Sequence, residues 1–417
     1  MRYDVTVIGG GPAGMAAAIA AEKKGAKTLL IEREARIGGI LKQCVHDGFG
    51  LIEFGEKLTG TEYAERFADQ LQKTTTEIRT LTFVTKIEKA GDGYKLYLVG
   101  RDGISEEETA SIVLATGCRE RTARQVFIQG TRPAGIFTAG TAQNFVNLQG
   151  KMPTKRCVIL GSGDIGLIMA RRLTLEGAEV EGVYEVKSTP SGLTRNLHQC
   201  LKDFNIPLHL STTVTRVFGE DRLSAVEVAE VDDKMRPIAG TERIIECDAL
   251  ILSVGLIPEN ELAETLAAAL DKKTKGPLVD QTFMTTAEGI FSAGNALHVN
   301  DLVDYVTESA RLAGGFAAEY RPSERKLVEI KADKNFLYVV PQYIDLNKDI
   351  TKTVVYFRSA SDMSGRFSIE LGGQEVFSKK YRALRPPEME RLELDFEKLG
   401  LKRDEPQNVE FKLEVIK

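Results

Sequence analysis

The segments Val7-Ile8-Gly9-Gly10-Gly11-Pro12-Ala13-Gly14 and Ile159-Leu160-Gly161-Ser162-Gly163-Asp164-Ile165-Gly166 carry the same glycine spacing, G-x-G-x-x-G, at two distant places in a chain of 417 residues. Each follows a short apolar run and opens a stretch of helix-forming residues, the setting in which that spacing has a physical meaning. In the first copy a strand over residues 5–8 runs into the glycines, an alanine-rich helix continues to Gly25, and a second strand over 28–31 ends on Glu32. The second copy repeats this with a strand over 158–160, a helix to Gly177 and a strand ending on Glu185. Gly9 and Gly161 permit the tight turn from strand to helix, Gly11 and Gly163 let the backbone approach an anion, and Gly14 and Gly166 let helix and strand pack closely. The helix N-terminus then offers N–H groups and the positive end of its dipole to that anion.

The anion predicted for both copies is the diphosphate of a dinucleotide. Glu32 lies eighteen residues past Gly14 and Glu185 nineteen past Gly166, near the offset at which a carboxylate accepts ribose hydroxyls. A carboxylate repels a 2′-phosphate, so Glu185 favours NAD over NADP, a preference moderated by Lys187 and Arg195 nearby.

Composition narrows the setting. A length of 417 residues predicts two to four domains, and 42% hydrophobic content supplies ordinary globular cores. Met1-Arg2-Tyr3-Asp4 leads straight into a core strand without a recognisable leader, and no apolar run reaches the roughly 18 residues of a membrane span. A net charge of −5 gives no basic footprint, so nucleic acid is not an expected partner. Cys44, Cys118, Cys157, Cys200 and Cys247 are scattered, with no C-x-x-C for zinc or an iron–sulfur cluster, so no metal site is expected. That usage fits a reducing, cytoplasmic location.

Two further motifs extend the pattern: residues 111–117 form an apolar run closing on Ala115-Thr116-Gly117, and residues 289–295 form another closing on Gly294-Asn295, with a helix expected from near Asn300 through Ala317. With these in place the chain resembles the two-dinucleotide-domain flavoproteins of the pyridine nucleotide-disulfide oxidoreductase superfamily over roughly residues 1–320. The resemblance implies an α/β fold of two Rossmann-like dinucleotide-binding domains, one inserted in the other. It places an FAD domain at 1–117 and 255–325, an NAD domain at 118–254, and leaves a C-terminal β-rich domain at 326–417. Expected FAD contacts are Gly9, Gly11, Pro12, Ala13, Gly14, Glu32, Arg33, Gly39, Val84 of a hairpin over 82–99, Ala115, Thr116, Gly117, Gly294, Asn295, and the amides of Leu302 and Val303. Expected NAD(H) contacts are Gly161, Gly163, Asp164, Ile165, Gly166, Glu185 and Gly255. Asn295 departs from the aspartate usual in the family, and its amide retains hydrogen-bonding capacity for ribityl hydroxyls.

The family's redox cysteine pair is missing. Gly38-Gly39-Ile40-Leu41-Lys42-Gln43-Cys44-Val45-His46 holds one cysteine, which cannot form an internal disulfide, so the expected chemistry is the cofactor's own hydride exchange with NAD(H). Cys44 and His298 are the two candidate catalytic side chains. Cys44 would serve a self-sufficient NADH oxidase or peroxidase through sulfenic acid chemistry; a flavin-bound scaffold or redox sensor is the non-enzymatic alternative. His198 and Cys200, two apart on an expected helix, do not face each other.

The strings at 38–44, 161–172 and 253–261 are similar to FAD/NAD subunits of multi-component dehydrogenases: the alpha subunits of dye-linked L-proline dehydrogenase and sarcosine oxidase, and oxidoreductases associated with glycerol-3-phosphate dehydrogenase. The partner this implies is a substrate-oxidising dehydrogenase subunit, with a small iron–sulfur protein in the same assembly. Beyond a polar linker at 319–326, short β-type runs predict a small antiparallel β-sandwich without catalytic groups. Its expected role is docking of a partner subunit or of a second copy, giving a homo-oligomer.

Overall fold

A computed structural model describes residues 2–405 and 407–416. It divides into two units, Met1–Cys118 with Pro258–Lys417, and Arg119–Ile257.

The first unit is organised by the strand Gly103–Leu114, which serves two sheets in one. Its last residues run parallel to Arg2–Ile8 on one edge and to Ile290–Ser292 on the other, while its first half pairs antiparallel with Gly93–Gly100, itself paired with Phe83–Ala90. Thr28–Ile31 and Glu77–Arg79 extend the parallel side. Every strand residue from Thr28 to Ile31 is buried, as a parallel strand covered on both faces must be. The helix Pro12–Lys23 begins with proline at its first position, where no intrahelical N–H is lost. All residues from Ala13 to Ala21 are buried, and the helix Val303–Ala318 lies against it so closely that a Cβ on Gly314 would collide with the Ala17 carbonyl. That helix starts three residues later than sequence alone predicts. Asn295 Oδ1 accepts from the Asn300 N–H at 3.0 Å and from its Nδ2 at 3.3 Å, holding 295–300 as a turn.

The C-terminal part is a two-sheet sandwich within the same unit. One sheet runs Tyr343–Asp345, Leu327–Ala332, Val409–Val415, Met363–Leu371, Gln374–Leu384; the other is Phe336–Val340, Thr353–Ser359, Glu390–Leu394. The larger sheet is mixed rather than antiparallel, since Leu327–Ala332 pairs parallel with Val409–Val415. Thr353–Ser359 is buried at all seven positions. Val355 and Phe357 face the sandwich interior, whereas Val354 and Tyr356 join the apolar core that contains Ala13, Ala17 and Val306. The linker expected to be merely polar also carries a core contact: Arg325 Nη2 pairs at 2.6 Å with Asp280, whose carboxyl burial pushes upward in pKa.

The second unit has a fully parallel five-stranded sheet in the order Ile136–Thr138, Ala249–Leu252, Arg156–Leu160, Glu179–Tyr184, Leu208–His209. The helices Asp164–Leu175 and Ala139–Asn147 contribute to its core, and Thr212–Gly219, Leu223–Glu230 and Arg243–Glu246 form an antiparallel layer. Among the described residues, no helix is long and apolar enough to cross a membrane.

Candidate functional site

In the first cradle Gly9 adopts φ +107°, and a Cβ there would collide with the Ala115 carbonyl; one on Gly14 would collide with the Gly9 carbonyl. The middle glycine behaves differently. A Cβ on Gly11 would meet nothing nearer than Gly39 Cα at 3.7 Å, so this position opens onto space rather than onto the fold. Gly38 N donates to Gly10 O at 2.8 Å, and Gly39, with φ +56°, has room for no Cβ because Gly11 Cα would lie 2.9 Å from it. The Gly38-Gly39 turn therefore forms the wall opposite the helix start at Pro12 and Ala13. Glu32, 6% exposed, accepts from Gly10 N at 2.7 Å on one oxygen and from Glu34 N at 2.8 Å on the other. Each carboxylate oxygen thus has one protein donor and retains a lone pair for a further hydroxyl.

The remaining predicted positions of this unit surround that loop or lead away from it. Val84 is buried opposite Leu98 in the hairpin. Thr116 Oγ1 donates to Glu259 O at 2.6 Å, and Gly117, at φ +73°, accepts from Glu259 N at 3.0 Å. Arg33 reaches the Glu259 carboxylate at 3.3 Å and is otherwise exposed. Gly294 fits where a Cβ would press on Ala13 Cβ at 2.9 Å and on Val306 Cγ1 at 3.0 Å, which brings Asn295 close to the first helix. Asn295 Nδ2 lies 3.6 Å from Cys118 Sγ. Leu302 is the N-cap of the helix beginning at Val303, the turn whose N–H groups have no partner inside the helix.

The two candidate catalytic side chains are both buried. Cys44 donates its S–H toward Ile40 O at 3.5 Å, and burial pushes its thiol up to about 12, so thiolate is scarce at neutral pH. His298 is 1% exposed, its ring lying 5.6 Å from that of Tyr338 and 5.3 Å from that of Tyr356. Burial drives its pKa down to about 3, so the ring is neutral.

In the second cradle the outer glycines repeat the same roles. A Cβ on Gly161 would collide with Ser253 O and one on Gly166 with Gly161 O, whereas one on Gly163 would meet only Ser253 Oγ at 3.8 Å. Gly255 has φ +101°. Glu185 is 4% exposed, and its Oε2 accepts from Ser162 N at 3.0 Å, Ser162 Oγ at 2.5 Å and Ser191 Oγ at 3.2 Å; Oε1 takes Lys187 N at 3.1 Å. Asp164, at the first helical position, is turned aside: its Oδ1 accepts from Leu193 N at 2.9 Å and Asn196 Nδ2 at 2.7 Å. Ile165 packs against the core of this unit. Ser162, Ser191 and Asn196 escape sequence reasoning, although the serine standing where the first copy has Gly10 is a signal that the two carboxylates are held differently.

Residues 3–313 match the family model described as pyridine nucleotide-disulphide oxidoreductase. A subunit of opine oxidase from Agrobacterium tumefaciens is 25% identical, with 78% of this chain and 66% of that protein aligned. Hydrogen cyanide synthase subunit HcnB of Pseudomonas protegens is 28% identical over 64% of this chain and 59% of its own length. The chain therefore spans just under two thirds of these curated relatives. Thioredoxin reductase of T. acidophilum superposes with a TM-score of 0.62 at 21% identity, covering 76% of this chain and 98% of that one, a likeness of fold.

Proposed function

The chain belongs to the pyridine nucleotide-disulphide oxidoreductase family, a family of FAD-dependent oxidoreductases using NAD(P)H, and from that premise we propose that it exchanges hydride between NAD(H) and FAD as the nucleotide-reactive subunit of a multi-component dehydrogenase. The observation that carries this reading is the pair of cradles in which only the middle glycine, Gly11 or Gly163, faces open space, the place a diphosphate takes. Bound in the first cradle, FAD supplies two-electron redox chemistry.

The chain's own residues then bind and orient. Amides at the start of the helix Pro12–Lys23 hold one diphosphate, and Glu32 receives ribose hydroxyls on the lone pairs its backbone donors leave. Asn295 and the amides of Leu302 and Val303 serve the ribityl chain and the pyrimidine edge. In the second unit Gly163 and the helix starting at Asp164 hold the nicotinamide dinucleotide, and Glu185 disfavours a 2′-phosphate.

The multi-component role draws on two relatives that are themselves subunits, one of opine oxidase and one, HcnB, of hydrogen cyanide synthase. The partner proposed is a subunit that oxidises a small substrate, of amino-acid or glycerol-3-phosphate type. Burial and a pKa of about 12 at Cys44 oppose the peroxidase reading. The test is spectroscopic: a flavin band near ~450 nm that NADH bleaches without oxygen, with NADPH slower. A protein purified without flavin, or one whose band NADH leaves intact, sinks the proposal.

A further inference from the structure

The strand Thr353–Ser359 holds a guanidinium inside an otherwise apolar or small-polar run that is buried from end to end. Burying a charge costs several kcal/mol, on the order of the desolvation of one ion, unless partners offset it. Arg358 continues the series Val354 and Tyr356 that faces the core of the first cradle's unit, and its donors are spent there. Nη2 donates to Val299 O at 3.2 Å and to Asp301 Oδ1, Nε donates to Tyr338 Oη at 2.9 Å, and Nη1 donates to the carbonyls of Pro386 and Pro387. Asp301 is held from a second side, since its Oδ2 accepts from Met389 N at 2.5 Å. Tyr338 Oη, having accepted from Arg358, also shares a hydrogen bond with His298 Nδ1 at 3.4 Å.

We propose that Arg358 is a positioning residue for the flavin site, fixing the turn at 298–302 from the C-terminal sheet and with it the N-terminus of the helix Val303–Ala318. This rests on the reading of the first cradle as the FAD site. The turn leaves Gly294-Asn295 and ends at the helix N-cap, Leu302, and the Arg358 network touches it at His298, Val299 and Asp301, while Asn300 ties back to Asn295. One further clamp holds the same helix to the same sheet: Glu308 accepts from Arg391 Nη2 at 2.7 Å and from Tyr356 Oη at 2.8 Å. The sandwich thus acts on the electrostatics of the site without touching the cofactor. A helix N-terminus that wanders takes its partial positive charge with it, and that charge is felt only within about one turn.

Sulfite reads this potential without turnover. Its lone pair forms a bond to flavin N5, and the displaced electron pair settles on the pyrimidine ring, so positive potential there tightens binding. In the FAD-loaded protein, Arg358→Met is expected to weaken sulfite binding about fivefold and to lower the flavin midpoint potential, with Arg358→Lys intermediate because it keeps the charge without the planar fork. If Arg358→Met does not fold, Asp301→Asn, which leaves the other guanidinium acceptors in place, carries the same expectation. Sulfite affinity and potential equal to those of the parent protein in a folded, FAD-loaded variant overturn the role of Arg358. A parent protein that binds no FAD overturns instead the reading beneath it.

Discussion

Glu32 and Glu185 end equivalent strands in the two units, yet they are held by different partners. Glu32 takes one backbone N–H on each oxygen, from Gly10 and Glu34. Glu185 gathers three donors on one oxygen, two of them serine hydroxyls, and the segment supplying Ser191 is also latched to Asp164 through Leu193 and Asn196. The first carboxylate is oriented by backbone alone. The second keeps the equivalent backbone pair, Ser162 N and Lys187 N, and adds the hydroxyls of Ser162 and Ser191, which a point substitution can remove. The same glycine spacing therefore specifies a cradle twice without specifying how firmly its ribose acceptor is held.

The comparison breaks most sharply at the third glycines. Gly14→Ala drives a Cβ into the Gly9 carbonyl and is expected to cost about 3 kcal/mol, seen as protein purified without flavin. Gly166→Ala makes the corresponding collision with Gly161 O; it is expected to keep the flavin band but lose its bleaching by NADH.

Acid separates the units next. His298 is neutral in the fold at about 3 against an ordinary value of 6.5, so below pH 6.5 the unfolded chain binds a proton that the folded chain does not. Stability falls by about 1.4 kcal/mol for each pH unit between 6.5 and 3, and is recovered above 6.5. Flavin release on heating, followed at pH 7.5 and 5, measures this in the first unit; His298→Gln is expected to flatten the slope. His209 in the second unit is shifted down in the same direction by burial, and flavin release does not report it.

Glu185→Gln removes the charged acceptor and is expected to weaken NADH binding by about 2 kcal/mol, roughly thirtyfold, and to narrow the preference over NADPH, measured by titration of each nucleotide. Ser191→Ala is the finest probe. It removes one of four hydrogen bonds to the Glu185 carboxylate and is expected to cost about 1 kcal/mol, or about fivefold in NADH affinity, while the flavin content stays unchanged. Equal NADH affinity in this variant erases the proposed difference between the cradles.

Much of the frame was legible because it is local. The turns at Gly9 and Gly161 need a positive φ and no Cβ, and both requirements are written into the residue type. The short apolar strands that feed the cradles were equally readable, including the run over 28–31. The larger C-terminal sheet was expected to be antiparallel, but the pairing of Leu327–Ala332 with Val409–Val415 is parallel, and nothing in either strand announces a partner about eighty residues away.

Residue type and spacing by themselves determined the two cradles, the strands that feed them, and the absence of a cysteine pair beside Cys44, because each depends on backbone freedom or side-chain chemistry within a few residues. Only the tertiary structure decided that Ser162 and Ser191 hold Glu185, that His298 is sealed between two tyrosines, and that the C-terminal sheet sends Arg358 into the turn before Val303. Apart from Ser191, six residues from Glu185, those contacts join residues far apart in the chain. Which face of a strand meets which neighbour is settled when layers close over one another and buried polar groups must find partners, a condition that no local pattern encodes.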